Sequence, residues 1–263
     1  MSDILSALLL DCGVFLAGRS AALDSLIALP MRNDLVKAAV VCACFVAAWH
    51  AARTPREVVR QRSILMLALA AALLSLAVSV GLSNRFVAPR PYVFRQQVYR
   101  LEDQALVTQP RQSIRMSRDG GSRQRLARLE QLDIPPNDFG TFPSDHASLF
   151  VPLAMGVWLV SRRVGTLALI WTALFILYPK LHLGLHSIRD LAAGAALGLG
   201  ALGIVMGLVE PIRPLRRILW RLCLASARWQ GAASGLVFVA MYEICSKFEH
   251  VEALLASAKR FLP

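Results

Sequence analysis

An all-α polytopic membrane bundle of about six transmembrane helices, with an extramembrane loop over its candidate site, is the fold class that the sequence predicts. Three observations predict it. Of 263 residues, 56% are apolar and only 17% charged, beyond the roughly 45–50% apolar share of an ordinary soluble domain. Several windows approach the ~20 consecutive apolar residues that a helix needs to cross the hydrocarbon core. The charges are bunched between those windows, with 29 basic and 17 acidic residues giving a formal +12. Such an excess also suits nucleic acid, but basic residues confined to linkers between apolar runs point to a lipid bilayer and to no nucleic-acid partner. The composition excludes disorder, collagen and coiled coil. No internal repeat divides the chain.

The elements follow in order. Residues 4–18 are apolar but broken by Asp11, so this run either crosses the bilayer or lies in its interface. Only Met1, Ser2 and Asp3 precede it, without the basic start of a cleavable signal peptide. Residues 35–52 hold a single charge, Lys37, and residues 63–84 hold none, so both read as spans. Residues 90–142 are too many for a tight turn and read as a small extramembrane cap. Within it Leu126, Leu129 and Leu132 suggest an amphipathic helical piece over 122–132, punctuated by Gly120-Gly121 and Pro135-Pro136. Residues 146–161 and 164–179 are short spans. Arg162 and Arg163 between them can snorkel to the headgroups, which makes the pair a tight helical hairpin. Residues 191–209 form another charge-free span. Arg216, Arg217, Arg221 and Arg228, interleaved with Ile218, Leu219, Trp220 and Leu224, read as a basic amphipathic helix on the membrane surface. Residues 229–242 are marginal in length and again cross or lie in the interface.

This order divides the chain into N-terminal membrane helices over 1–62, a membrane core over 63–210 that includes the extramembrane loop 91–142, and a basic interfacial helix with a C-terminal apolar segment over 211–263. Cys12, Cys42, Cys44, Cys223 and Cys245 show no metal-ligand spacing and read as small core residues. Arg53, Arg56, Arg60 and Arg62 lie in one short linker, Arg162 and Arg163 in a second, and Arg213, Arg216 and Arg217 in a third. The positive-inside rule puts these on one side, the cytoplasmic one. Nine arginines after Arg85 in the long connection count the other way, but short linkers carry the greater weight.

Three polar clusters then emerge together on the opposite side, where ionisable groups near membrane depth are functional candidates. The first runs over 84–91 and includes Arg85 and Arg90-Pro91. The second is Phe142-Pro143-Ser144-Asp145-His146. The third, over 180–190, contains Lys180, His182, His186 and Asp190. Arg90 and Lys180 are cations able to hold an anion, and a guanidinium fork suits phosphate oxygens. Ser144 and neighbouring amides at a helix N-terminus add donors. His186 and Asp190, four apart, share a face if helical. The carboxylate then accepts from one ring nitrogen and leaves the other as nucleophile or base. His146 offers a second imidazole as general acid. Taken singly, Arg85 and Arg90 read equally as interfacial anchors, Pro89 and Pro91 as helix stops, and Ser144-Asp145 as an N-cap. His182, His186 and Asp190 at successive turns also suggest a metal face; the basic surroundings disfavour a cation there, so no metal and no cofactor is expected. His50 and His250 fall outside the clusters.

Together the clusters resemble the signature of the type 2 phosphatidic acid phosphatase (PAP2) superfamily of membrane lipid phosphatases. That family's first motif is a lysine, six residues, then Arg-Pro. Arg90-Pro91 match it, Ser83 stands at the lysine position, and Arg85 lies two residues on as a substitute. The second motif, Pro-Ser-Gly-His, is matched by Pro143, Ser144 and His146, with Asp145 at the glycine. This variant resembles the bacterial undecaprenyl-diphosphate phosphatases. The third is Ser-Arg, five residues, His, three residues, Asp; His186 and Asp190 match, and Pro179-Lys180 replace Ser-Arg. The resemblance implies a six-helix bundle and metal-free double displacement on a lipid phosphate. His186 is then the nucleophile, Asp190 its orienting partner and His146 the general acid. Arg90, Lys180 and Ser144, with Arg85 and Asp145 beside them, make up the substrate-binding set. It further implies a bacterial inner membrane with the site facing the periplasm. Two rival readings use the same residues: a lipid-to-lipid phosphotransferase, and a lipid-phosphate-binding or transport protein weakened by the changes at Ser83 and Lys180. No sequence feature specifies an oligomeric state.

Overall fold

A computed structural model describes residues 21–32, 34–83, 85, 97–102, 105–110, 141–209 and 211–245. The expected run over 4–18 and the expected helical piece over 122–132 lie outside these residues, as does Arg90. The described chain is almost entirely helical: α1 (Ala21–Arg32), α2 (Asp34–His50), α3 (Pro55–Ser83), α4 (Asp145–Val160), α5 (Arg162–His182), α6 (Ile188–Val209), α7 (Arg213–Arg228) and α8 (Gln230–Cys245). Among the described residues the only strands are β1 (Gln97–Glu102) and β2 (Ala105–Pro110), an antiparallel hairpin in the long connection with Gln97 opposite Pro110. Val98, Tyr99, Val107 and Thr108 supply its β-branched and aromatic content.

Three helices, α3, α5 and α6, are long and apolar enough to cross a membrane, and Val36–His50 and Asp145–Val160 are shorter apolar helices. Their outward faces carry Leu74, Val80, Leu167, Leu174, Ile204 and Leu208, each at least 47% exposed. Apolar area of that extent is stable against lipid and not against water. α3 begins at Pro55, eight residues before its charge-free window, because Thr54 and Glu57 form a capping box: Glu57 Oε2 accepts from the amides of Arg53 and Thr54 at 2.9 and 3.1 Å. A hydropathy window does not register such a charged first turn. α1, with Asp24, Pro30 and Arg32 in 12 residues, is invisible to it for the same reason.

The central helix is α4, which packs against α3, α5 and α6. The expected hairpin is present, with a single residue, Ser161, between α4 and α5. Arg162 lies 3.4 Å above the Trp158 ring, and Gly165 lies so close to the Trp158 backbone that a Cβ would sit 2.1 Å from its Cα. Pro152 inside α4 has no N–H for the Ser148 carbonyl, and Ser75 Oγ of α3 donates to that carbonyl at 2.7 Å. One turn on, Ser79 Oγ donates to the Pro143 carbonyl at 3.0 Å. These two serines fasten the start of α4 to the last turns of α3. At the far end of α3, buried Arg62 donates to Ser226 Oγ at 2.9 Å and lies 4.8 Å from the Trp49 ring, which pins α7 to the bundle. α8 packs on α2, where Cys42 Sγ meets the Met241 carbonyl at 3.5 Å. Cys42, Cys44 and Cys223 are buried, as expected of core residues.

Candidate functional site

The start of α4 carries the second cluster. Ser144 is fully buried and caps the helix with extended backbone, its Oγ accepting from the Ala147 amide at a long 3.5 Å. Its own amide donates to the Asp190 carbonyl at 3.0 Å, which joins α4 to α6. Gly194 permits this junction, because a Cβ there would lie 2.4 Å from the Ser144 carbonyl oxygen. Gly194→Ala is expected to destabilise the protein by roughly 1–3 kcal/mol through overpacking and to lower turnover by displacing Asp190. Thermal unfolding in detergent and phosphate release measure the two effects; wild-type values for both would contradict the close approach.

Asp145 Oδ1 accepts from the His146 amide at 2.8 Å and from His146 Nδ1 at 2.6 Å. The ring is thereby held by Nδ1, and Nε2 becomes its working nitrogen. The Asp145 side chain is 44% exposed, whereas that of His146 is 5% exposed. The same Asp145 Oδ1 lies 3.8 Å from His186 Nε2, and Lys180 also interacts electrostatically with this carboxylate. Asp145 thus stands between the two imidazoles. A carboxylate has no proton to offer phosphate oxygens, and its contact with His146 gives Asp145 a positioning role beside the substrate-binding role that the sequence suggests.

The third cluster is shaped by a helix that stops and restarts. Pro179 would clash with the Phe175 carbonyl in a regular α-helix. In α5 the preceding segment Thr172–Leu177 widens into a π-helical turn, with the Tyr178 amide donating to the Ala173 carbonyl. Lys180 and His182 follow, both buried. α5 then ends in a Schellman motif: the Leu185 amide donates to the Lys180 carbonyl at 2.8 Å and the Gly184 amide to the Leu181 carbonyl at 3.0 Å. Gly184 takes φ 66°, the left-handed conformation that closes this motif.

α6 restarts with a second capping box. Ser187 N donates to Asp190 Oδ2 at 2.7 Å, and Asp190 N donates to Ser187 Oγ at 3.2 Å. His186, 4% exposed, is held just outside α6, with its Nδ1 3.8 Å from Asp190 Oδ2. The expectation that His186 and Asp190 share one continuous helical face is therefore corrected. They meet across a helix start, and the oxygen that faces the ring already caps the helix. A separation of 3.8 Å is an ion-pair contact and not a hydrogen bond; contacts of this kind often tighten when substrate arrives.

The break also removes the shared face proposed for His182, His186 and Asp190. His182 is placed beside Tyr178, whose hydroxyl lies 3.5 Å from His182 Nδ1. Among the described residues no group of three or more His, Cys, Asp or Glu is arranged to hold a metal ion. Arg85 is exposed in the turn after α3. Ser83 Oγ, at the lysine position of the first motif, donates to the Val80 carbonyl at 2.9 Å.

The structure thus brings Ser144, Asp145, His146, Lys180, His186 and Asp190 to one end of the bundle. Sequence reasoning missed Ser75, Ser79, Ser187, Gly184 and Gly194, which position them. Two signals were present: the Ser-x-x-Asp pattern before the apolar run of α6, and serines four apart on an otherwise apolar helix.

Neither the curated proteins nor the solved structures contain a match to the chain. A model of the PAP2 superfamily matches residues 64–213, more than half of the 263 residues, from within α3 to the start of α7. With apolar helices of membrane-crossing length around a histidine–carboxylate cluster, the chain belongs to the PAP2 superfamily, whose members are phosphatases acting on phosphate esters.

Proposed function

We propose that the protein is an integral-membrane lipid phosphatase that hydrolyses a polyprenyl diphosphate or a phospholipid-type phosphate monoester, without metal, through a phosphohistidine at His186. The observation that carries this reading is the pair of carboxylates about His186, Asp190 at Nδ1 and Asp145 at Nε2, each at 3.8 Å, with His146 held on the same Asp145 at 2.6 Å. Asp190 orients the ring and stabilises its positive charge, so that Nε2 attacks phosphorus. The N–P bond forms as the bond from phosphorus to the lipid-side oxygen breaks, and His146 gives that oxygen a proton. Water then attacks phosphorus, His146 takes its proton back, the N–P bond breaks and inorganic phosphate leaves. The phosphoryl group enters beside His186 Nε2 while Asp145 keeps its 2.6 Å contact with His146 Nδ1. Lys180, Ser144 and Arg90 neutralise the equatorial oxygens, with Arg85 beside the entrance. Residues 63–210 form the catalytic core. The Asp145 variant of the second motif favours polyprenyl diphosphate, and the short arginine-rich linkers favour a site on the non-cytoplasmic face, the periplasmic side of a bacterial inner membrane.

The test is phosphate release by the detergent-purified protein, with chelator and no added metal, from undecaprenyl diphosphate, phosphatidate and phosphatidylglycerol phosphate. Chelator-resistant release supports the reading, and the best substrate names the lipid class. Label passed to an acceptor lipid with little free phosphate would establish a phosphotransferase instead, and lipid binding without release a binding protein. Lys180 makes a separate prediction. Lys180→Met is expected to lower turnover by about 10²-fold, the usual cost of losing one phosphate-directed donor, and Lys180→Arg to preserve it. Full turnover by the methionine variant would remove Lys180 from the site.

A further inference from the structure

At the end of the bundle opposite the histidines, a groove of about 540 Å³ opens between the first turns of α3, the last turn of α6 and the interfacial helix α7. Its floor is apolar, formed by Ile64, Leu67 and Met206, and its rim carries Arg60, Arg216 and Trp220. Both arginines and Trp220 are exposed. The Arg62–Ser226 bond and the Arg62–Trp49 contact tie α7, α3 and α2 together next to the groove. Its α3 and α7 walls are cationic. Along the first two turns of α3 and the whole of α7, Glu57 is the only acidic residue, and its carboxylate is occupied in capping α3. Exposed Ile218 and Leu222 on α7 set this rim at the level of lipid.

We propose that this groove binds one anionic glycerophospholipid of the leaflet at this end, with an acyl chain along Ile64, Leu67 and Met206 and the headgroup phosphate on Arg60 and Arg216. The shape fits that occupant: an apolar trough suits a hydrocarbon chain, two guanidinium groups at its mouth suit phosphate oxygens, and an interfacial indole marks the headgroup depth. The site is distinct from the histidine cluster, and its test requires no turnover.

The full-length protein, purified in detergent and equilibrated with equimolar phosphatidylglycerol and phosphatidylcholine, is analysed by native mass spectrometry for retained lipid. The expected result is a preference for phosphatidylglycerol of roughly tenfold, the scale of a charge-assisted contact. Arg60→Gln with Arg216→Gln brings the two lipids near parity, and Leu67→Trp, which fills the trough, lowers retention of both. Arg221→Gln with Arg228→Gln removes the same charge from another face of α7 and keeps the preference. Equal retention of both lipids by the unaltered protein would overturn the proposal. So would an equal loss in the off-groove pair, which would signal diffuse charge, or displacement of the lipid by inorganic phosphate, which would signal a site for the free anion.

Discussion

His186→Ala is expected to reduce phosphate release by about 10⁴-fold or more, the scale on which loss of a covalent nucleophile is felt. The residue is 4% exposed, yet its loss leaves the local fold intact, since the turn around it is held by backbone bonds from Leu185 and His186 to the Lys180 carbonyl. Unfolding temperature in detergent should therefore change little while turnover disappears. A folded alanine variant with activity within tenfold of the parent would require a different nucleophile.

The second large effect belongs to Asp190, which performs two tasks with one oxygen. Oδ2 caps α6 through the Ser187 amide at 2.7 Å and faces His186 Nδ1 at 3.8 Å. Asp190→Ala removes both and is expected to lower turnover by roughly 10⁴-fold, as loss of the orienting carboxylate does in a catalytic triad, and stability by about 1 kcal/mol through the lost cap. Asp190→Asn separates the tasks. The amide oxygen still accepts from Ser187, so stability should return, while the lost charge leaves turnover low. An asparagine variant as active as the parent would reduce Asp190 to a capping residue.

The contrast between these tasks shows what the sequence made legible. The spans over 63–84 and 191–209 were readable because lipid imposes a composition that no other environment requires, and α3 and α6 lie there. The interfacial helix was readable from arginines interleaved with large apolar residues, and α7 runs from Arg213 to Arg228. The polar clusters were readable because ionisable residues at helix ends are costly without a use. Other features depend on the fold. The helix break between His182 and Ile188 rests on Gly184, and glycine is common in membrane helices, so its presence alone predicts no left-handed turn. The sequence position of Asp145 is silent on which ring its carboxylate holds, and only the fold brings it onto His146 Nδ1. The hairpin of β1 and β2 lay in a segment read only as a cap, where short alternating runs carry little signal beside the long apolar windows. Ser75 and Ser79 owe their importance to Pro152 in α4 and Pro143 just before it, a relation that exists only once α3 and α4 pack.

The central claim is that phosphorus becomes bound to His186. Its most direct measurement is rapid mixing of the protein with a lipid substrate labelled in the transferred phosphate, followed by alkaline denaturation and mapping of the protein-bound label. The account predicts label on the peptide containing His186, stable to alkali and released by acid as a phosphoramidate is, absent from His186→Ala, and formed no more slowly than turnover. Steady turnover with no label on that peptide at any time would contradict it, and would make water the direct nucleophile.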